Sequence, residues 1–257
     1  MTATRYVAPL REGGSMPGLM EADDLGTYVV KFRGAAQGVR TLIAELITGE
    51  IGRVLGLPVP ELVFIEFDAV MAKAEPDPEI QQLLAASGGL NIALDFLPGS
   101  LPYSVAMQKL VPPELAARVV WLDALTTNID RTPRNPNLLI WHKRLWLIDH
   151  GASLYLQHSW TDIATRARTP FPQIRDHVLL PIAGSIAEAG REGRAALAGD
   201  VISKVVAAIP DDWLEECAPF ATPDELRGAY HDLLTTRLSV ADDFEATADA
   251  ARVEAQA

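Results

Sequence analysis

The chain has 257 residues, long enough for one large domain or two small lobes, and with 49% hydrophobic and 22% charged residues it has the composition of a folded globular protein rather than a disordered one. Twenty-two Lys and Arg against 34 Asp and Glu leave a formal net charge of −12, which argues against non-specific binding to nucleic acid or to an anionic membrane, since both need a basic footprint. No apolar run approaches the ~18 residues of a membrane span, Met1 to Leu10 is not expected to be a signal peptide, and the single cysteine, Cys217, can supply neither an internal disulfide nor a cysteine-based zinc site. A protein of the cytoplasm without a membrane span is the class these features imply.

Taken in chain order, residues 11–26 read as a loop, with Gly13, Gly14, Pro17, Gly18 and Gly26 around an acidic Glu21, Asp23 and Asp24. Thr27-Tyr28-Val29-Val30-Lys31-Phe32 is β-branched and aromatic and predicts a strand. From Val39 to Leu55 the apolar positions follow helical spacing, and Gly56, Pro58 and Pro60 stop the helix. Glu61 to Phe67 predicts a second strand, Pro76-Asp77-Pro78 a turn, and Leu90 to Leu97 a third strand that ends at Pro98-Gly99-Ser100. Beyond that point the pattern turns helical: Glu114 to Thr127 is amphipathic, and helices are predicted at about 179–190, 194–208 and 223–240. The exception is a hairpin, Leu138-Leu139-Ile140-Trp141 and Leu145-Trp146-Leu147-Ile148 joined by His142-Lys143-Arg144. The tail from Ala241 is rich in Ala and acids and is expected to fray. The fold class is α+β: a small sheet-rich N-terminal lobe with one main helix over residues 1–99, a larger helical lobe over 100–240, and an acidic tail over 241–257.

The stretch richest in chemistry runs from Asn128-Ile129-Asp130-Arg131-Thr132-Pro133-Arg134-Asn135 through the hairpin to Asp149-His150-Gly151. Phosphoryl transfer from ATP needs a carboxylate to orient an acceptor hydroxyl, a carboxylate and an amide oxygen to hold magnesium, and a lysine to anchor the phosphates. Asp130 and Asn135 lie five apart in a loop directly after a helix, and the hairpin folds Asp149 back beside that loop, where Gly151 gives the backbone freedom to turn the carboxylate. Lys31, in mid-strand, needs an anionic partner, and Glu45 on the next helix could supply it.

That succession resembles the HipA-like kinases, a bacterial branch of the protein-kinase-like superfamily, and more distantly the phosphatidylinositol kinases with their Asp-Arg-x-x-x-Asn and Ile-Asp-x-Gly. The resemblance covers roughly residues 10–180. It implies a two-lobed protein-kinase-like fold and an ATP- and Mg²⁺-dependent phosphotransferase acting on a hydroxyl acceptor, with a protein Ser or Thr favoured and a small molecule or lipid head group as other candidates. It carries the catalytic aspartate onto Asp130, the metal ligands onto Asn135 and Asp149, and the ATP-anchoring lysine with its partner onto Lys31 and Glu45. The adenine-facing hinge falls on the backbone of Asp95, Phe96 and Leu97, and the phosphate loop on Gly13, Gly14 and Ser15 within Gly13-Gly14-Ser15-Met16-Pro17-Gly18.

The residues leave alternatives open. On a helical wheel Glu45 falls on the polar side and Glu50 nearer the apolar face, so Glu50 competes as the lysine partner. Asn137 competes with Asn135 as metal ligand. His142, His150 and His158 are expected at the hairpin surface, and Arg131, Arg134, Lys143 and Arg144 form a basic group that either is a solvated turn or faces phosphate. The phosphate loop is not G-x-G-x-x-G and the catalytic triplet reads Asn128-Ile129-Asp130, so a non-catalytic nucleotide-binding module is a second reading and a nucleotidyl transferase a third.

Overall fold

The strand signals of the first hundred residues assemble into one antiparallel sheet of five strands in the order β1-β2-β3-β5-β4. They are β1 (Ala3–Pro9), β2 (Gly18–Ala22), β3 (Thr27–Lys31), β4 (Leu62–Phe67) and β5 (Gly89–Asp95) in a computed structural model that describes residues 1–10 and 16–257. β2 lies inside the segment expected to be a loop. Its Gly and Glu are poor strand formers, yet Met20 and Ala22 are buried and the strand pairs with β3 from Gly18↔Val30 to Glu21↔Thr27. Gly18 is required there by contact, because a Cβ would lie 2.9 Å from the Phe32 ring. The apolar layer on this sheet includes Met20, Val30, Phe32, Ile65, Phe67 and Ala93, with Phe32 and Phe67 edge-to-face at 5.7 Å.

Helix α1 (Val39–Val54) follows β3, and Gly56, at φ +68°, closes it in the left-handed conformation that glycine takes without strain. Pro76-Asp77-Pro78 is more than a turn: Asp77 caps α2 (Pro78–Ala85) by accepting from Glu79 N at 3.1 Å, with Pro78 in the first turn. The chain divides into two compact units, Met1–Leu46 with Pro60–Pro98, and Ile47–Val59 with Gly99–Ala257.

The second unit holds α3 (Pro113–Thr126), a small sheet of β6 (Leu101–Pro102), β7 (Leu138–Trp141) and β8 (Arg144–Leu147), and helices α4 (Ile163–Arg166), α5 (Ile186–Ala196), α6 (Val201–Ala207), α7 (Pro223–Ser239) and α8 (Ala241–Ala255). The hairpin turn is two residues, His142 at φ +49° and Lys143 at φ +62°, so Arg144 pairs with Trp141 instead of belonging to the turn. The helix expected at 179–190 is two elements: Ser185 caps α5 through Glu188 N at 3.2 Å, and only a short 3₁₀ turn precedes it. Helix α8 corrects the expectation of a frayed tail. Phe244 and Ala248 are buried, the Phe244 ring lies 6.1 Å from Trp121, and Glu245 accepts from Trp121 Nε1 at 2.8 Å and pairs with Arg194. An alanine-rich helix that is marginal alone is held by a buried aromatic and by the ion pairs of Arg194 with Glu245 and Asp242.

Candidate functional site

Lys31 ends β3 and is 5% exposed, which a lysine tolerates only beside a counter-charge. Its Nζ lies 3.3 Å from Oε2 of Glu45, itself fully buried. Glu50, the competing partner, pairs instead with Arg53 at 3.7 Å on its own helix. The wheel placed Glu45 on a polar face that does not exist here, since every residue from Leu42 to Gly49 is buried. On the hinge segment, Asp95 N donates to Glu61 O at 2.9 Å and Phe96 N to Thr27 O at 3.1 Å, so these two N–H groups are already bonded within the first unit. Gly13, Gly14 and Ser15 lie outside the described residues.

In the second unit, α3 ends at Thr127, left-handed at φ +52°, whose N–H bonds back to Asp123 O. The loop that follows turns on Asp130. Its Oδ2 accepts from Asn135 Nδ2 at 2.7 Å and from Asn137 Nδ2 at 3.3 Å, and its backbone O accepts from Asn137 Nδ2 at 3.2 Å. Asn135 is exposed and Asn137 buried, and both reach the same Asp130 oxygen. Asp149 follows β8 in the left-handed region at φ +55°; the strained backbone is at the carboxylate residue itself. Its neighbours are tied to the loop: Ile148 N donates to Asn137 O at 3.1 Å, and His150 Nδ1 accepts from Arg131 Nη2 at 3.2 Å.

Two expectations are corrected here. His150 is fully buried, not a surface histidine, because Arg131 reaches it from inside. Arg131, 1% exposed, neither sits in a solvated turn nor faces a phosphate: its Nε bonds Asp123 Oδ2 at 2.5 Å and its Nη1 bonds Asn137 O at 2.5 Å. The sequence reading passed over Asp123 and its second partner His177, whose Nε2 lies 2.9 Å from Oδ2. The signal available was an acid inside the apolar run Val119-Val120-Trp121-Leu122-Asp123-Ala124-Leu125. Burial pushes the Asp123 carboxyl up, but the Arg131 charge and the hydrogen bonds from His177 and Arg131 more than reverse this and hold it well below the usual carboxylate range. Burial, aided by the Arg131 charge, lowers His177 despite its bond to Asp123.

Magnesium prefers hard oxygen donors and takes few from the protein, the rest coming from phosphates and water. The Asn135 amide and the Asp149 carboxylate suit that donor set. Among the described residues no group of three His, Cys, Asp or Glu is placed to hold a metal ion.

The fold is one that kinases share. It is similar to the crystal structure of the Helicobacter pylori proinflammatory kinase CtkA, at 12% identity and a TM-score of 0.54 over 97% of each chain. It is also similar to the Golgi casein kinase solved with Mn/ADP bound, at 12% identity and a TM-score of 0.50 over 97% of this chain and 74% of that one. No sequence among curated proteins matches significantly. Residues 4–240 match the family model of the HipA-like kinases, and the chain belongs to that family. No helix among the described residues is long and apolar enough to cross a membrane.

Proposed function

We propose that the protein is an ATP- and Mg²⁺-dependent phosphotransferase of the cytoplasm that moves the γ-phosphoryl group to a hydroxyl acceptor, a protein Ser or Thr side chain. The observation that carries the reading is the Asp130 loop. Asn135 and Asn137 both fasten Oδ2, and among the described residues no group hydrogen-bonds Oδ1. An oriented carboxylate with one oxygen left to accept a hydroxyl proton is what a base for this reaction requires. Asn135, through its amide oxygen, and Asp149 would hold magnesium, and Lys31, kept charged and in place by Glu45, would bind phosphate oxygens. The backbone of Asp95, Phe96 and Leu97 would meet adenine through carbonyls and Leu97, and the Gly13, Gly14, Ser15 loop would offer N–H groups to the phosphates. Magnesium, when bound, neutralises phosphate charge and orients the transferring group. The kinase family and the Mn/ADP bound to the Golgi casein kinase support a nucleotide-dependent reading.

Asp130→Ala is expected to lower transfer of γ-label from ATP by ~10²–10⁴, the usual worth of a positioned base, while nucleotide binding stays within about tenfold. Asp149→Asn should weaken Mg-nucleotide binding in calorimetric titration as well. Full transfer by Asp130→Ala overturns the base assignment. Incorporation of α- rather than γ-label identifies a nucleotidyl transferase, and no binding by folded wild type at millimolar nucleotide leaves the non-catalytic module.

A further inference from the structure

A single buried carboxylate, Asp123, stands behind both the Asp130 loop and the Asp149 turn, and each of its oxygens accepts a hydrogen bond. Oδ2 takes Arg131 Nε at 2.5 Å and His177 Nε2 at 2.9 Å, Oδ1 takes Asn128 Nδ2 at 3.0 Å, and the backbone O takes Asn128 N at 2.9 Å. The proton on His177 is located by its other nitrogen: Nδ1 accepts from Leu179 N at 3.1 Å, so Nε2 is the donor to Asp123. Arginine has no acceptor, so His150 Nδ1 likewise accepts from Arg131.

Two arms leave this centre. Through Asn128, whose Oδ1 accepts Asp130 N at 3.1 Å, it fixes the backbone entering Asp130. Through Arg131 it fixes the residues on the far side: Nη1 bonds Asn137 O, which also takes Ile148 N, and Nη2 bonds His150, so both neighbours of Asp149 are tied down. Val178 N also donates to Arg131 O at 3.0 Å, fastening the backbone of the second arm. Asp123 is fully buried, and its carboxylate bonds to Asn128, Arg131 and His177, none of which is assigned to nucleotide, metal or acceptor.

We infer that Asp123 is a positioning residue: its carboxylate sets the Asp130 loop and the Asp149 turn in one geometry through Asn128 and Arg131. Resting on the phosphotransferase reading, the inference makes catalytic rate, more than nucleotide affinity, depend on a residue remote from the reactants. An asparagine in its place keeps the size but has one acceptor oxygen for donors on two sides. With Oδ1 kept on Arg131 and His177, its NH₂ meets the Asn128 amide NH₂, and turning Asn128 to accept it breaks the bond to Asp130 N, while Arg131 loses its buried counter-charge in either orientation. Displacements of about 1 Å at reacting groups cost about 100-fold in rate.

The test compares full-length wild type with Asp123→Asn by amide hydrogen exchange and by ADP release from Mg-ATP. The inference expects exchange in peptides covering 128–137 and 147–151 to speed at least about tenfold while β1–β5 are unchanged. It expects ADP release to fall about 100-fold, with no further loss when Asp123→Asn is added to Asp130→Ala. Unchanged exchange in those two segments overturns it, and so does faster exchange with undiminished ADP release. If Asp123→Asn loosens the whole chain, Asn128→Ala replaces it. That variant must loosen residues 128–131 alone and lower turnover about tenfold with nucleotide affinity kept, and failure to do so refutes the first arm. ADP release without an acceptor reads transfer to water, so a wild type that binds Mg-ATP yet hydrolyses none leaves the exchange data to judge the positioning on their own, and the γ-label transfer assay to judge the phosphotransferase reading.

Discussion

Replacing Lys31 with Met removes the cation from a fully buried glutamate. At 3.3 Å and an effective dielectric of about 20, the Lys31–Glu45 attraction is about 5 kcal/mol. Desolvation of both charges offsets most of that when the intact pair forms, but breaking the pair exposes the penalty on Glu45 alone, and such losses run about 3–5 kcal/mol. We expect Lys31→Met to cost about 3 kcal/mol at pH 7 in urea unfolding, and the Lys31→Met/Glu45→Gln double variant to be less destabilised than the sum of the singles by about 2 kcal/mol. The sign with pH follows. In Lys31→Met the folded-state Glu45 carboxyl is raised above its unfolded value, so the folded protein binds the extra proton and the penalty grows as pH rises from about 4.3. The variant should therefore be closer to wild type at pH 5 than at pH 8. Additivity of the singles within about 0.5 kcal/mol, or a penalty independent of pH, refutes the argument.

Two more predictions rest on single features. Because Asp149 is held at φ +55°, Asp149→Gly should be more stable than Asp149→Ala by about 0.5–1 kcal/mol, the left-handed penalty less the entropy of glycine. Both should lose Mg-nucleotide binding equally, and equal stabilities in denaturant would refute the backbone account. Because His177 is held neutral by burial, with its folded pKa below the ordinary histidine value, the unfolded chain takes up the proton first as pH falls. Stability should accordingly decline below about pH 6.5, with this group contributing up to about 1.4 kcal/mol per pH unit, and His177→Gln should lack that part of the slope in unfolding midpoints measured from pH 7.5 to 5.

Local physics made part of this protein readable from its residues alone. The β-branched run Thr27–Phe32, the helical spacing that begins at Val39 and the apolar runs joined by His142-Lys143-Arg144 became a strand, a helix and a hairpin with bounds shifted by a residue, because period and turn placement are short-range properties. The five-residue spacing of Asp130 and Asn135 was likewise enough to put both on one loop, where their side chains now bond. What tertiary structure alone decided lies in burial and long-range pairing. Helix α1 is enclosed on all sides over Leu42–Gly49, so a wheel that assumes a wet face misplaces Glu45. The tail folds as α8 because Trp121, 124 positions earlier, offers its indole N–H to Glu245 and a surface to Phe244. In the sequence Arg131 reads as one of a basic group and His150 as a hairpin-surface histidine, while neither Asp123 nor His177 is singled out. These four become one network only because the fold brings residues up to 54 apart around a carboxylate from which water is excluded.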